Sequence, residues 1–182
     1  ASDVYKRQCL DADGNETSAA WVQALNTKNK PTILVLSRQN LPVLPNSKDM
    51  AKEGVSKGGY VISKAESDTP DGILIATGSE VNLAVQAQKE LKAQGKDVSV
   101  VSLPSFDLFE AQDEAYKESV LPKAVTKRVA IEAGSPFGWE RYIGSEGKMI
   151  GIDHFGASAP GDYILEQFGF TVENVVNTFN EL

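Results

Sequence analysis

Ser37-Arg38-Gln39-Asn40-Leu41-Pro42 follows directly on the apolar run Ile33-Leu34-Val35-Leu36. An arginine just past a strand offers a planar fork of N–H donors that matches phosphate or carboxylate. The carboxyl ends of strands are also where ligands enter open α/β sheets. Arg38 is therefore the first candidate for contact with an anionic substrate, set against the ordinary alternative of a solvated or salt-bridged surface arginine. Ile75-Ala76-Thr77-Gly78-Ser79-Glu80 is a second strand-turn-helix. It lacks the glycine spacing and lysine of phosphate-binding loops, and Glu80 would repel an anion, so helix capping is the favoured reading. Glu132 and Asp153 near strand ends could do acid–base work, but their spacing does not make them face one another. Trp139, Tyr142 and Phe155 suit a pocket wall, core packing or a subunit contact.

Other chemistries are bounded by what the chain holds. Its one histidine, His154, sits in a loop and cannot alone build a histidine metal site or a Ser-His-Asp triad; a surface or structural role fits it better. The one cysteine, Cys9, permits no intramolecular disulfide and reads as a free thiol in a reducing compartment. A net charge of −7 argues against nucleic acid, because no basic excess is present to neutralise phosphates. It also requires any phosphorylated substrate to be met by local basic residues. No apolar run approaches the roughly 20 residues that span a bilayer, and residues 1–8 have no secretory apolar core.

The elements that must position these residues alternate. Asp13-Gly14-Asn15-Glu16-Thr17 suits a helix start. Trp21, Val22 and Leu25 have helical spacing, Asn29-Lys30-Pro31 stops the helix, and Thr32 to Leu36 reads as a buried strand. Residues 42–59, with Pro42, Pro45, Gly54, Gly58 and Gly59, read as a connector. Strands are then expected at 60–63, 72–77, 98–103, 128–132 and 148–152. Helices are expected after Ser79, from Glu110 to Val120, from Pro160 to Phe168 and after a Thr171 cap. Alternating strands and helices predict a mostly parallel sheet covered on both faces. The fold class is α/β, a three-layer α/β/α domain preceded by a helix-strand fragment.

Several ordered stretches resemble transketolase. They are Asp13 to Trp21, Leu36 to Pro42, Lys57-Gly58-Gly59-Tyr60-Val61, Ile75 to Val81 and Ser119-Val120-Leu121-Pro122. Phe155-Gly156-Ala157-Ser158-Ala159-Pro160 and Gln167-Phe168-Gly169-Phe170-Thr171 continue the series. The resemblance covers about residues 12–182 and implies a division of the chain. Residues 12–45 would be the end of a pyrimidine-binding domain, 46–58 a linker and 59–182 a transketolase C-terminal domain. The family places a run such as Arg-Pro-Ala-Asp before Gly-Asn-Glu-Thr, whereas Leu10-Asp11 stands here where Arg-Pro is expected. Residues 1–11 therefore read as a ragged or non-native start.

The resemblance implies a transferase that moves a two-carbon ketol unit from a ketose phosphate to an aldose phosphate. It places the substrate phosphate on Arg38. Thiamine diphosphate, Mg²⁺ or another divalent cation, and the catalytic histidines and glutamate would belong to a missing N-terminal part. None maps onto this sequence, so the chain alone is expected to bind no cofactor and to be inactive. The full-length relative would be a cytoplasmic homodimer of the pentose phosphate pathway, with no nucleic-acid or membrane partner. The rival readings are a non-catalytic assembly subunit of a split transketolase and part of another thiamine-dependent enzyme such as dihydroxyacetone synthase.

Overall fold

A computed structural model describes residues 7–182. The chain folds around two separate sheets. Strand β1 (Arg7–Leu10) pairs in parallel with β2 (Thr32–Val35), bringing Leu10 opposite Val35. Helix α1 (Gly14–Asn26) connects them and α2 (Ser47–Lys57) follows. Five strands make the second sheet: β3 (Tyr60–Ser63), β4 (Gly72–Ala76), β5 (Val98–Ser102), β6 (Arg128–Ile131) and β7 (Lys148–Ile150). Their order is β3-β5-β4-β6-β7, with β3 antiparallel to β5 and the other pairings parallel.

Side chains of β4 alternate between two cores, as the two-residue period of a strand requires. Leu74 and Ala76 pack with Val81, Ala84 and Leu91 of α3 (Glu80–Ala93) and with Val175, Val176 and Phe179 of α8 (Val172–Asn180). Ile73 and Ile75 face the other way, toward Phe109 of α4 (Phe106–Glu110), Val120 of α5 (Glu114–Val120), and Tyr142 and Ile143 of α6 (Glu140–Ile143). Both faces of β4 and β5 are buried, which is why those strands read as nearly continuous apolar runs. The expected three-layer α/β/α arrangement is present. Thr171 caps α8 by accepting from Asn174 N–H, as its position predicts.

Several local expectations change. Arg7–Leu10, inside the stretch set apart as a ragged start, forms β1, while residues 1–6 lie outside the described residues. Cys9 is fully buried with Ala19, Ala20, Ala51 and Val55. The connector at 46–58 contains the 11-residue helix α2. Its inward positions, Ala51, Gly54 and Val55, are too small to give a visible apolar stripe. The stretch expected as one helix over 110–120 is instead two helices, broken between Glu110 and Glu114. Ser79 occupies the N-cap of α3, but its hydroxyl donates to Glu80 Oε1 rather than capping the backbone.

The expectation of a buried strand at Thr32–Leu36 also fails. Ile33, Val35 and Leu36 are exposed, as are Trp21, Val22 and Leu25 of α1. Helix and strand form as expected, with Leu34 packed toward Ala19 and Ala20, but among the described residues these six apolar side chains stay uncovered.

Candidate functional site

β2 ends at Val35 and hands the chain to an exposed loop carrying Arg38. Ser37 Oγ donates to Gln39 Oε1 at 2.5 Å, and Gln39 N–H donates back to Ser37 Oγ at 3.0 Å. Among the described residues the exposed Arg38 guanidinium between them has no hydrogen-bond or ion-pair partner. The neighbouring residues Gln39, Asn40, Leu41 and Pro42 line a cleft of about 240 Å³. Ser79 and Glu80 line its other side, with Asp162 and Leu165 of α7 (Gly161–Gln167). Two motifs separated by about 40 residues of sequence thus meet at one cleft.

The tips of β4 and β6 form the topological switch point of the large sheet, because the chain first crosses from β4 to β5 and then returns to the opposite side of β4. Such points are the usual ligand crevices of α/β sheets. Over the neighbouring tips of β4 and β5 the chain itself crosses: Leu10 N–H donates to the Pro104 carbonyl at 2.9 Å, and Gly78 N–H donates to the Leu10 carbonyl at 3.3 Å. Glu80 at the start of α3 and Glu132 just past β6 lie close enough to interact across the β4/β6 tips. Burial is the main cause raising both carboxyls, and the charge of Glu80 adds to the effect on Glu132, pushed up to about 8. Thr77 Oγ1 donates to Glu132 Oε2. Glu132 therefore holds its proton near neutrality, with Glu80 beside it raised in the same direction by burial. Of the two carboxylates that the sequence offered near strand ends, Glu132 lies in this group, whereas Asp153 is exposed. Nothing in the spacing of Glu80 and Glu132 shows that β4 and β6 are neighbours.

A second carboxylate group lies at the start of α1. Asp13 caps the helix, its Oδ1 accepting from Asn15 and Glu16 N–H, both at 2.9 Å. Its Oδ2 accepts from Leu44 N–H at 2.9 Å and Ser47 Oγ at 2.5 Å. Glu16 is fully buried and accepts from Ala12 N–H, Tyr60 Oη and Ser102 Oγ at 2.7, 2.8 and 2.6 Å. Burial raises its carboxyl despite these three donors. Asp11 beside it is buried, with neither oxygen partnered, and is pushed up to about 7 by burial and by the charges of Glu16 and Asp13. The helix-start pattern was visible in the sequence; the role of Glu16 in joining α1 to β3 and β5 was not.

The remaining candidates separate. Trp139 and Tyr142 are core residues in edge contact at 6.0 Å, whereas Phe155 is 99% exposed, so the three do not share a pocket wall. His154 is exposed, and its ring meets Phe168 edge-on at 4.7 Å. Among the described residues, no three His, Cys, Asp or Glu side chains are grouped to hold a metal ion.

A mostly parallel α/β/α domain, preceded by a helix-strand piece that presents an arginine at a strand tip, is the arrangement of transketolase C-terminal portions. The sequence model described as "Transketolase-like TK C-terminal domain" matches residues 58–171. The chain belongs to the transketolase family. It is 58% identical over 165 residues to the Geobacillus stearothermophilus transketolase, covering 91% of this chain and 25% of that protein. Among solved structures, the Leishmania mexicana transketolase superposes with a TM-score of 0.89 at 40% identity, over 98% of this chain and 25% of that one. A Pichia stipitis transketolase complexed with sedoheptulose-7-phosphate gives 0.88 at 42% identity, over 97% and 25% of the two chains. An inactive β4 tetramer of a split-gene transketolase shares the fold alone, with TM-score 0.78 at 21% identity over 97% of this chain and 57% of that one. The chain spans about a quarter of the length of the curated relatives it matches.

Proposed function

We propose that this chain is the C-terminal portion of an enzyme that transfers a two-carbon ketol unit between sugar phosphates, and that Arg38 grips the substrate phosphate. The exposed, unpartnered guanidinium beside a cleft is the observation that carries this reading. A charge-assisted, bidentate contact suits a phosphate that takes no part in bond making. Holding that remote group orients the reacting carbonyl without touching it. Thiamine diphosphate with a divalent cation supplies the carbanion chemistry in the full-length enzyme. The groups that bind it belong to the N-terminal part. Residues 12–45 are the end of the pyrimidine-binding domain, 46–58 a partly helical linker and 59–182 the C-terminal domain of a cytoplasmic homodimer.

Replacing Arg38→Ala in the full-length enzyme should raise KM for phosphorylated ketoses by roughly 10- to 150-fold, the equivalent of about 1.5–3 kcal/mol for a charged hydrogen bond. Unphosphorylated ketoses should lose little. Equal losses for the two substrate classes would remove the phosphate grip from the reading. The purified 182-residue chain, supplied with thiamine diphosphate and Mg²⁺, should show no ketol transfer; robust turnover would overturn the assignment of the missing catalytic groups.

The exposed apolar side chains Trp21, Val22 and Leu25 on α1, Ile33 and Val35 on the side of β2 away from Leu34, and Leu36 just past its end support the N-terminal part as the direct partner. Large apolar side chains exposed in such numbers on one small helix-strand piece mark docking surface rather than solvated surface.

A further inference from the structure

The loop bearing Arg38 is held in three places by three different parts of the chain. Its start is fixed where Val35 pairs opposite Leu10. Its far end is fixed where Leu44 N–H and Ser47 Oγ both donate to Asp13 Oδ2. The residues between those anchors could reach as far as about 30 Å if extended, so the two ends alone would leave Arg38 a wide range of positions. The third contact lies next to Arg38 itself. Gln39 packs against Gly161 at the first turn of α7, and a Cβ added to Gly161 would fall 2.6 Å from Gln39 Nε2. The missing side chain of Gly161 is the notch in which the Gln39 amide rests.

We propose that Asp13 and Gly161 are positioning residues for Arg38: one carboxylate at the loop's far end and one notch beside Gln39 fix where the guanidinium meets a sugar phosphate. Asp13 does this while also capping α1, so the same side chain sets the helix that precedes β2 and the loop that follows it. Gly161 brings α7 of the C-terminal domain into substrate binding without contacting substrate. This inference rests on Arg38 being the phosphate contact.

The test uses the full-length enzyme carrying this segment, with KM and kcat measured for a phosphorylated and an unphosphorylated ketose. Gly161→Leu is the main variant, because Gly161 is exposed and its replacement leaves both cores intact. It should raise KM for the phosphorylated ketose about tenfold, since small misplacements of a binding group are costly, with kcat and the unphosphorylated substrate nearly unchanged. Asp13→Asn should shift KM in the same direction. In a Gln39→Ala background the effect of Gly161→Leu should largely vanish, because the collision has been removed. Unchanged KM in both variants, or equal changes for both substrates, would overturn the positioning role while a selective Arg38→Ala defect leaves the phosphate grip standing. An Arg38→Ala enzyme that treats both ketoses alike would overturn the grip and the positioning role together.

Discussion

Asp11 is the least favourably placed side chain in the described residues. A buried carboxyl with no donor loses its hydration and gains nothing in exchange, a cost of about 1–3 kcal/mol. The folded state keeps its proton up to about pH 7, while the unfolded chain releases it near the ordinary value of 3.8. Protons are therefore bound more tightly by the folded form, and stability must fall as pH rises between those two values. Glu16, Glu80 and Glu132 are raised for the same reason, and Glu132 extends the decline to about pH 8. The thermal midpoint should thus be higher at pH 5 than at pH 8, the reverse of a protein held by ionised carboxylates. Asp11→Ala should stabilise the chain by about 1–3 kcal/mol at pH 8 and by much less at pH 5. Equal gains at both pH values would show that Asp11 is ionised throughout. Arg38 was legible from its neighbours in sequence, because an apolar run followed by an arginine is a local signal. Glu16 was not, since its donors Tyr60 and Ser102 lie 44 and 86 residues further along.

Element by element, the strands of the large sheet were the most legible because burial on both faces leaves unbroken apolar runs. Helix α2 was hidden by its glycines, which have packing roles. A Cβ on Gly54 would fall 2.2 Å from the Tyr60 ring, so that glycine lets helix and strand approach closely. Gly58 ends α2 at φ 83°, with Ser105 O and Phe109 N only 2.4 and 2.3 Å from where a Cβ would stand. Gly58→Ala should therefore cost more than the roughly 1–3 kcal/mol of a left-handed non-glycine residue, measured by urea unfolding; a loss below about 1 kcal/mol would show that the α2–α4 junction yields easily. Arg128 holds the end of β6 differently. Its guanidinium donates to the carbonyls of Val125, Tyr142, Leu121 and Pro122. Lysine cannot reproduce that fork, so Arg128→Lys should lower the thermal midpoint by several degrees, about the shift expected for 1–2 kcal/mol in a domain of this size. No change in midpoint would mean that water replaces the lost donors without cost.

At the scale of the whole molecule, the two tryptophans report on different surroundings: Trp139 is 2% exposed and Trp21 is 55% exposed. In the isolated chain, acrylamide should quench one of the two efficiently, and in the full-length enzyme the N-terminal part should shield it. Trp21→Phe identifies the quenched residue. Undiminished quenching of Trp21 in the full-length protein would place that face outside any domain contact. The sequence pattern of α1 and β2 correctly signals apolar surface, but pattern alone cannot say whether the covering layer belongs to the same stretch of chain. The crossing of Leu10 between Pro104 and Gly78 carries one more consequence. A version of this polypeptide trimmed to begin at Ala12 would lose a backbone plug, leaving the Pro104 carbonyl and Gly78 N–H facing an open slot. β2 would lose its parallel partner at the same time, so trimming would create a strand-accepting edge and with it a route to chain-to-chain exchange.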